Sequence, residues 1–151
     1  MEIKDLKAAM LARHSVRSYL DKPIPQEIVD ALRDAVQECN TASGLHIQLV
    51  VDEPQAFGGF MAHYGKFSGV KNYFALVGPK SRVLDEKLGY YGAQLTLLAP
   101  TAMNQQKFTF GLTPEGKVTL KCGVGFYAHM DLGISRRFFE IGAAPQVVCW
   151  E

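Results

Sequence analysis

Cysteine is scarce and scattered. Cys39, Cys122 and Cys149 lie far apart with no C-x-x-C spacing, which indicates neither a zinc site nor a disulfide framework. Reduced thiols in a cytosolic protein are the simplest account. A surplus of either charge is missing too: 16 basic residues against 15 acidic leave a formal charge of +1, so nothing suggests a polyanion such as DNA as partner. Any phosphate site must therefore be local. No apolar run reaches membrane-spanning length, and Glu2, Lys4, Asp5 and Lys7 in the first turns are unlike a signal peptide. These absences lead to an expected cytoplasmic protein with no metal, no membrane and no nucleic acid. The chain also lacks G-x-G-x-x-G after a strand, which argues against a Rossmann-bound nicotinamide. Neither a cysteine nor a serine sits in a recognisable histidine-linked arrangement for nucleophilic catalysis. No catalytic residue is assigned.

What is present suits one domain over 1–151. With 48% apolar and 21% charged residues, the chain has an ordinary globular balance and is long enough to bury a core. Ile3, Leu6, Ala9, Met10 and Arg13 recur at helical spacing. The segment Asp21-Lys22-Pro23-Ile24-Pro25 cannot continue a helix, but Pro25 suits the first position of the next one, with Gln26 and Glu27 in its first turn. That second helix carries Ile28, Val29, Leu32, Ala35 and Val36 on one face and ends near Cys39-Asn40. Leu45, Ile47, Leu49 and Val51 alternate as a half-buried strand, and 72–78 reads as a second, fully buried one. Residues 81–98 form a helix with the stripe Leu84, Leu88, Tyr91, Leu95 and Leu98. Glycines inside it cost roughly 1 kcal/mol each against alanine, a cost that usually permits close approach of a helix or a flat ligand. A hairpin follows, 108–112 and 118–122 around Thr113-Pro114-Glu115-Gly116, and then a last helix over 130–143 that Asp131 can cap and Gly142 can end. Periodicity by itself supports a mixed sheet with several helices.

The stretch Arg13-His14-Ser15-Val16-Arg17-Ser18-Tyr19 joins the first helix to the proline segment. Two arginines four apart with a hydroxyl between them can offer a fork of donors to one small anion, a phosphate being the natural guest. The same residues also read as a charged helix end followed by a solvated turn, since cations at a helix C-terminus meet the negative end of its dipole.

Taken with its neighbours, R-H-S-V-R-S-Y followed by D-K-P-I-P-Q-E-I-V-D-A-L resembles the opening of the nitroreductase family of flavoproteins. G-Y-Y-G-A-Q-L-T-L-L-A resembles that family's central helix. Pro100-Thr101-Ala102-Met103-Asn104-Gln105-Gln106-Lys107-Phe108 is similar to its Pro-Ser-x-x-Asn-x-Gln signature, and D-L-G-I-S-R-R-F-F-E to its closing helix. The resemblance implies an α+β nitroreductase-like fold, a mixed or antiparallel sheet flanked by helices. It implies FMN, with Arg13, His14, Ser15 and Arg17 at its phosphate and ribityl chain, and Thr101, Asn104 and Gln106 giving hydroxyl and amide groups to the flavin across a subunit boundary in a homodimer. It further implies an oxidoreductase that passes electrons from NADH or NADPH to a nitroaromatic, quinone or similar acceptor. In the two-module relatives a long segment separates the central helix from the Pro-Ser-x-x-Asn signature, whereas here Leu98-Ala99 runs straight into Pro100. A shortened member is expected, and a non-catalytic flavin-binding or interaction module of the same fold stands as the alternative.

Overall fold

A computed structural model describes residues 3–14, 16–57, 67–97 and 107–151. Ser15 and the whole signature Thr101, Asn104 and Gln106 lie outside the described residues. The described residues form an α+β arrangement of four helices and two small antiparallel sheets. Two compact units contain them: His14–Gly78, and Met1–Arg13 together with Pro79–Glu151. No helix among them is long and apolar enough to cross a membrane.

The unit His14–Gly78 is built on α2 (Gln26–Ser43). Its helix begins directly after Pro25, as the fixed φ of proline at that position favours, and carries Glu27 in its first turn. It ends at Gly44 in the left-handed region (φ 71°), whose N–H donates to Asn40 O at 2.8 Å. The buried face is Val29, Val36 and Cys39, whereas Ile28 is 46% exposed, so the core stripe is narrower than the apolar residues alone predict. Asn40 then fastens the following segment to the helix, accepting from Ile47 N at 2.7 Å and donating to Ile47 O at 2.9 Å. Leu45 and Ile47 are buried, but ladder pairing is confined to β1 (Gln48–Val50) with β2 (Tyr73–Ala75), Leu49 facing Phe74. Both expected strands are thus shorter than their apolar runs, and β2 is half-buried rather than fully buried. Backbone φ turns positive at Asp52, two residues past the end of β1, which stops the extended geometry from continuing.

In the other unit, α3 (Leu84–Thr96) and α4 (Ala128–Ala143) pack on each other through glycine. A Cβ on Gly89 would lie 2.0 Å from Met130 O, and one on Gly133 would lie 1.9 Å from Glu86 O. The predicted close approach of a helix is therefore met, and the helical cost of glycine is offset by contact of the two backbones. α3 is shorter than 81–98: a turn precedes Leu84, and Leu97 takes a left-handed conformation (φ 47°) that stops the helix. Its buried face is Leu88, Gly89, Gly92 and Ala93, with Tyr91 and Leu95 only partly covered. α4 starts two residues earlier than expected, after Tyr127 (φ 55°). Asp131 is not its cap but a residue inside the first turn, 2% exposed. Gly142 does not end the helix either, for α4 continues to Ala143.

The hairpin β3 (Phe108–Leu112) and β4 (Val118–Cys122) lies against α4, with Phe110 stacked on Phe139 at 4.8 Å between ring centroids. The tail adds a parallel bridge from Trp150 to Val118 on β4. α1 (Ile3–Ala12) packs on α4, with Leu6 buried.

Candidate functional site

Helix α1 stops at Ala12, and the N–H of Arg13 still donates to Ala9 O at 2.9 Å, so Arg13 occupies the last turn of backbone bonding as predicted. Its side chain is half-buried. A cation there faces the carbonyl end of the helix, which is electrostatically favourable. The boundary between the two compact units falls between Arg13 and His14. His14, Val16 and Arg17 are exposed and outside any helix. What holds the segment is backbone: Ser68 N donates to Arg17 O and Tyr19 N to Ser68 O, both at 2.9 Å, forming a parallel bridge between Ser18 and Ser68. Gly69 lies beside this bridge at φ 71°, and a Cβ there would come within 2.5 Å of Tyr19 O. Tyr19 Oη also donates back to Val16 O at 3.1 Å. The backbone of 16–19 is therefore fixed while the side chains of His14 and Arg17 point to solvent. Among the described residues no carboxylate pairs with Arg17.

A second constellation, which sequence reasoning did not assemble, lies in the unit of α3 and α4. Glu140 is its centre. Its Oε2 accepts from Tyr90 Oη at 2.5 Å and from Arg137 Nη1 at 3.4 Å. Its Oε1 accepts from Trp150 Nε1 at 3.0 Å and lies 3.8 Å from Arg136 Nε. Arg136 also pairs with Glu86 at 3.4 Å and lies over the Trp150 ring, 4.8 Å from its centroid. Arg137 Nη1 donates to Tyr90 Oη at 3.3 Å, and its guanidinium lies over the Tyr90 ring. Partial burial, followed by the hydrogen bond to Glu140, pushes the Tyr90 phenol up to about 12. It remains a proton donor throughout the physiological range. Tyr90 stood in the central-helix motif, and Glu140 and Arg137 in the closing-helix motif, without a role. Separations of 50 residues from Tyr90 to Glu140 and 10 from Glu140 to Trp150 leave no local pattern to read.

Alongside this network runs a groove of about 830 Å³ between α1, the C-terminal half of α4 and residues 144–148. Its walls are mostly apolar, and Lys7, Arg137 and Glu140 supply its charged groups. Among the described residues no cluster of three or more His, Cys, Asp or Glu could hold a metal ion.

The family model described as "Putative TM nitroreductase" matches residues 5–99 and, in a second stretch, 94–143. The first stretch contains the 13–19 motif, α2 and α3, and the second contains the hairpin and α4. Their junction at 94–99 is consistent with a nitroreductase-like chain shortened in the middle, at the place where Leu98-Ala99 meets Pro100. No curated protein and no solved structure matches the chain. Matched from residue 5 to residue 143, the chain belongs to this nitroreductase family.

Proposed function

We propose that the chain is an FMN-dependent oxidoreductase of the nitroreductase type, a single nitroreductase-like domain acting in the cytoplasm as a homodimer. The observation that carries this reading is the family match, which runs unbroken through the 13–19 motif. FMN, held by the residues below, would supply the redox chemistry between NADH or NADPH and a nitroaromatic, quinone or similar small acceptor. The chain's own residues bind and orient. Arg13 and Arg17 offer charge-assisted donors to the phosphate, and His14 and Ser15 add polar contacts beside them. Arg17 fits this role in one testable respect: its exposed guanidinium has no carboxylate among the described residues to compete with an anion. The fixed backbone of 16–19 lowers the ordering cost of that contact. Thr101, Asn104 and Gln106 give hydroxyl and amide groups to the flavin from the second subunit, which completes a site one short chain is too small to enclose.

A visible absorbance spectrum of the freshly purified protein, with FMN per chain quantified after denaturation, tests the reading directly. Flavin bands and NAD(P)H oxidation are expected. Arg17→Ala should weaken FMN retention more than tenfold, because a charge-assisted phosphate contact contributes about 1.5 to 3 kcal/mol. Unchanged retention in that variant would remove Arg17 from the phosphate site. The break in the family match at 94–99 favours one further reading, a flavin-binding or interaction module without turnover. Such a protein would be yellow yet would leave NAD(P)H unoxidised.

A further inference from the structure

The groove beside α1 has the dimensions of a ligand site rather than of a packing defect. Its volume of about 830 Å³ falls within the usual range of roughly 300 to 1,000 Å³ for small-molecule pockets. Leu11, Ile141, Pro145 and Val147 form apolar walls, and two of them stand in water at its rim, Leu11 76% exposed and Val147 89% exposed. Apolar walls meeting a few convergent polar groups are the general form of such sites.

The polar end has a definite sign. Glu140 is committed through both oxygens, to Tyr90 and Arg137 on one and to Trp150 and Arg136 on the other. Glu86 is engaged by Arg136. At the groove itself Lys7 and Arg137 thus stand as two cations against the single carboxylate of Glu140. Arg137 is only 12% exposed in its side chain, and its Nε finds no hydrogen-bond partner among the described residues. Lys7 donates once, to Gly142 O at 3.1 Å, and an ammonium carries three donors. An apolar trough closed by surplus positive charge complements an apolar body carrying one anionic head.

From this charge complementarity we infer that the groove binds an amphipathic carboxylate, its head at Lys7 and Arg137 and its chain along Leu11, Ile141 and Val147. The groove lies within the unit of α1, α3 and α4, which also carries Arg13, so competition with FMN is one of the outcomes the test must separate. The probe is decanoate, titrated calorimetrically into the full-length protein with its cofactor content recorded, against decanol and decylamine as chains of equal length with neutral and cationic heads.

Decanoate should bind at least tenfold tighter than decanol, and decylamine weakest of the three. Val147→Trp, at a position too exposed to bear on folding, should obstruct the groove and weaken decanoate at least tenfold while the thermal midpoint stays in place. Lys7→Met should abolish most of the preference for decanoate over decanol. Equal affinity for the three probes, or unchanged decanoate binding by Val147→Trp, would overturn the assignment. Competition between FMN and decanoate would also overturn it, by giving the groove to the cofactor. So would a Val147→Trp protein that changes its oligomeric mass and never binds decanoate, which would give it to a second copy. FMN retention, read separately, distinguishes failure of this inference from failure of the flavoprotein reading.

Discussion

The two compact units hold their important residues in opposite ways. Around α3 and α4 the backbones touch, glycines take the place of side chains at the crossing, and a carboxylate collects donors from two helices and the tail. In His14–Gly78 the motif that sequence reading singles out is exposed and outside any helix, held by a single bridge to Ser68. The contrast separates the energetics of folding from those of binding. A cation such as Arg17 costs little to keep in water and has no side-chain partner among the described residues, whereas Arg137 is held by Glu140 and Tyr90 before any ligand arrives.

The largest effect that should sharpen this contrast is Gly133→Ala. The new Cβ would meet backbone, Glu86 O and Tyr90 N, which cannot rotate away, so α3 and α4 must separate. Overpacking of this kind costs about 3 kcal/mol or more, seen as a lowered denaturant midpoint. Wild-type stability here would mean that the two helices slide freely, and the contrast would dissolve. Gly69→Ala strikes the lightly held unit instead. It combines a positive φ with a contact at Tyr19 O, and a loss of about 2 kcal/mol is expected, with proteolysis near 16–20 increased.

Tyr90 supplies a pH test. Its folded-state value is raised from 10.0 to about 12, so above pH 10 the unfolded chain releases a proton that the folded one still keeps. The stabilisation from this group is complete below pH 10 and is lost as pH rises from 10 towards 12. Unfolding measured across that window should show a fall in wild type that Tyr90→Phe lacks. The smallest effect has the opposite sign. Gly142 lies inside α4 with nothing within 4 Å of an added Cβ, so Gly142→Ala should stabilise by about 0.5 to 1 kcal/mol.

How far the sequence reaches follows from the range of each interaction. The start and face of α2 were readable because its opening proline and its period act within a turn or two, whereas its end was placed near Cys39-Asn40 and the helix runs on to Ser43. The glycines of the central helix announced a close neighbour without saying which, and the answer, Met130 in α4, lies 41 residues on from Gly89. Element ends were misjudged where backbone conformation rather than composition decides them: left-handed Leu97 and Tyr127 carry side chains that give no such signal. Asp131 looked like a cap because aspartate favours that position, yet α4 begins earlier and takes it into the interior. Of the proposed flavin contacts, the motif at 13–17 could be named from spacing and family resemblance. The Glu140 network could not, for its members meet only once the helices and tail are folded.

Trp150 is the sole tryptophan of the chain, and its indole is wedged between the Arg136 guanidinium and the Glu140 carboxylate. Fluorescence excited to the red of tyrosine absorption therefore comes from one place, the junction of the tail with α4. Opening of that junction by heat, denaturant or substitution should move the emission towards longer wavelength as the ring enters water. The molecule thus carries its own optical gauge of whether the tail is latched, readable without any label.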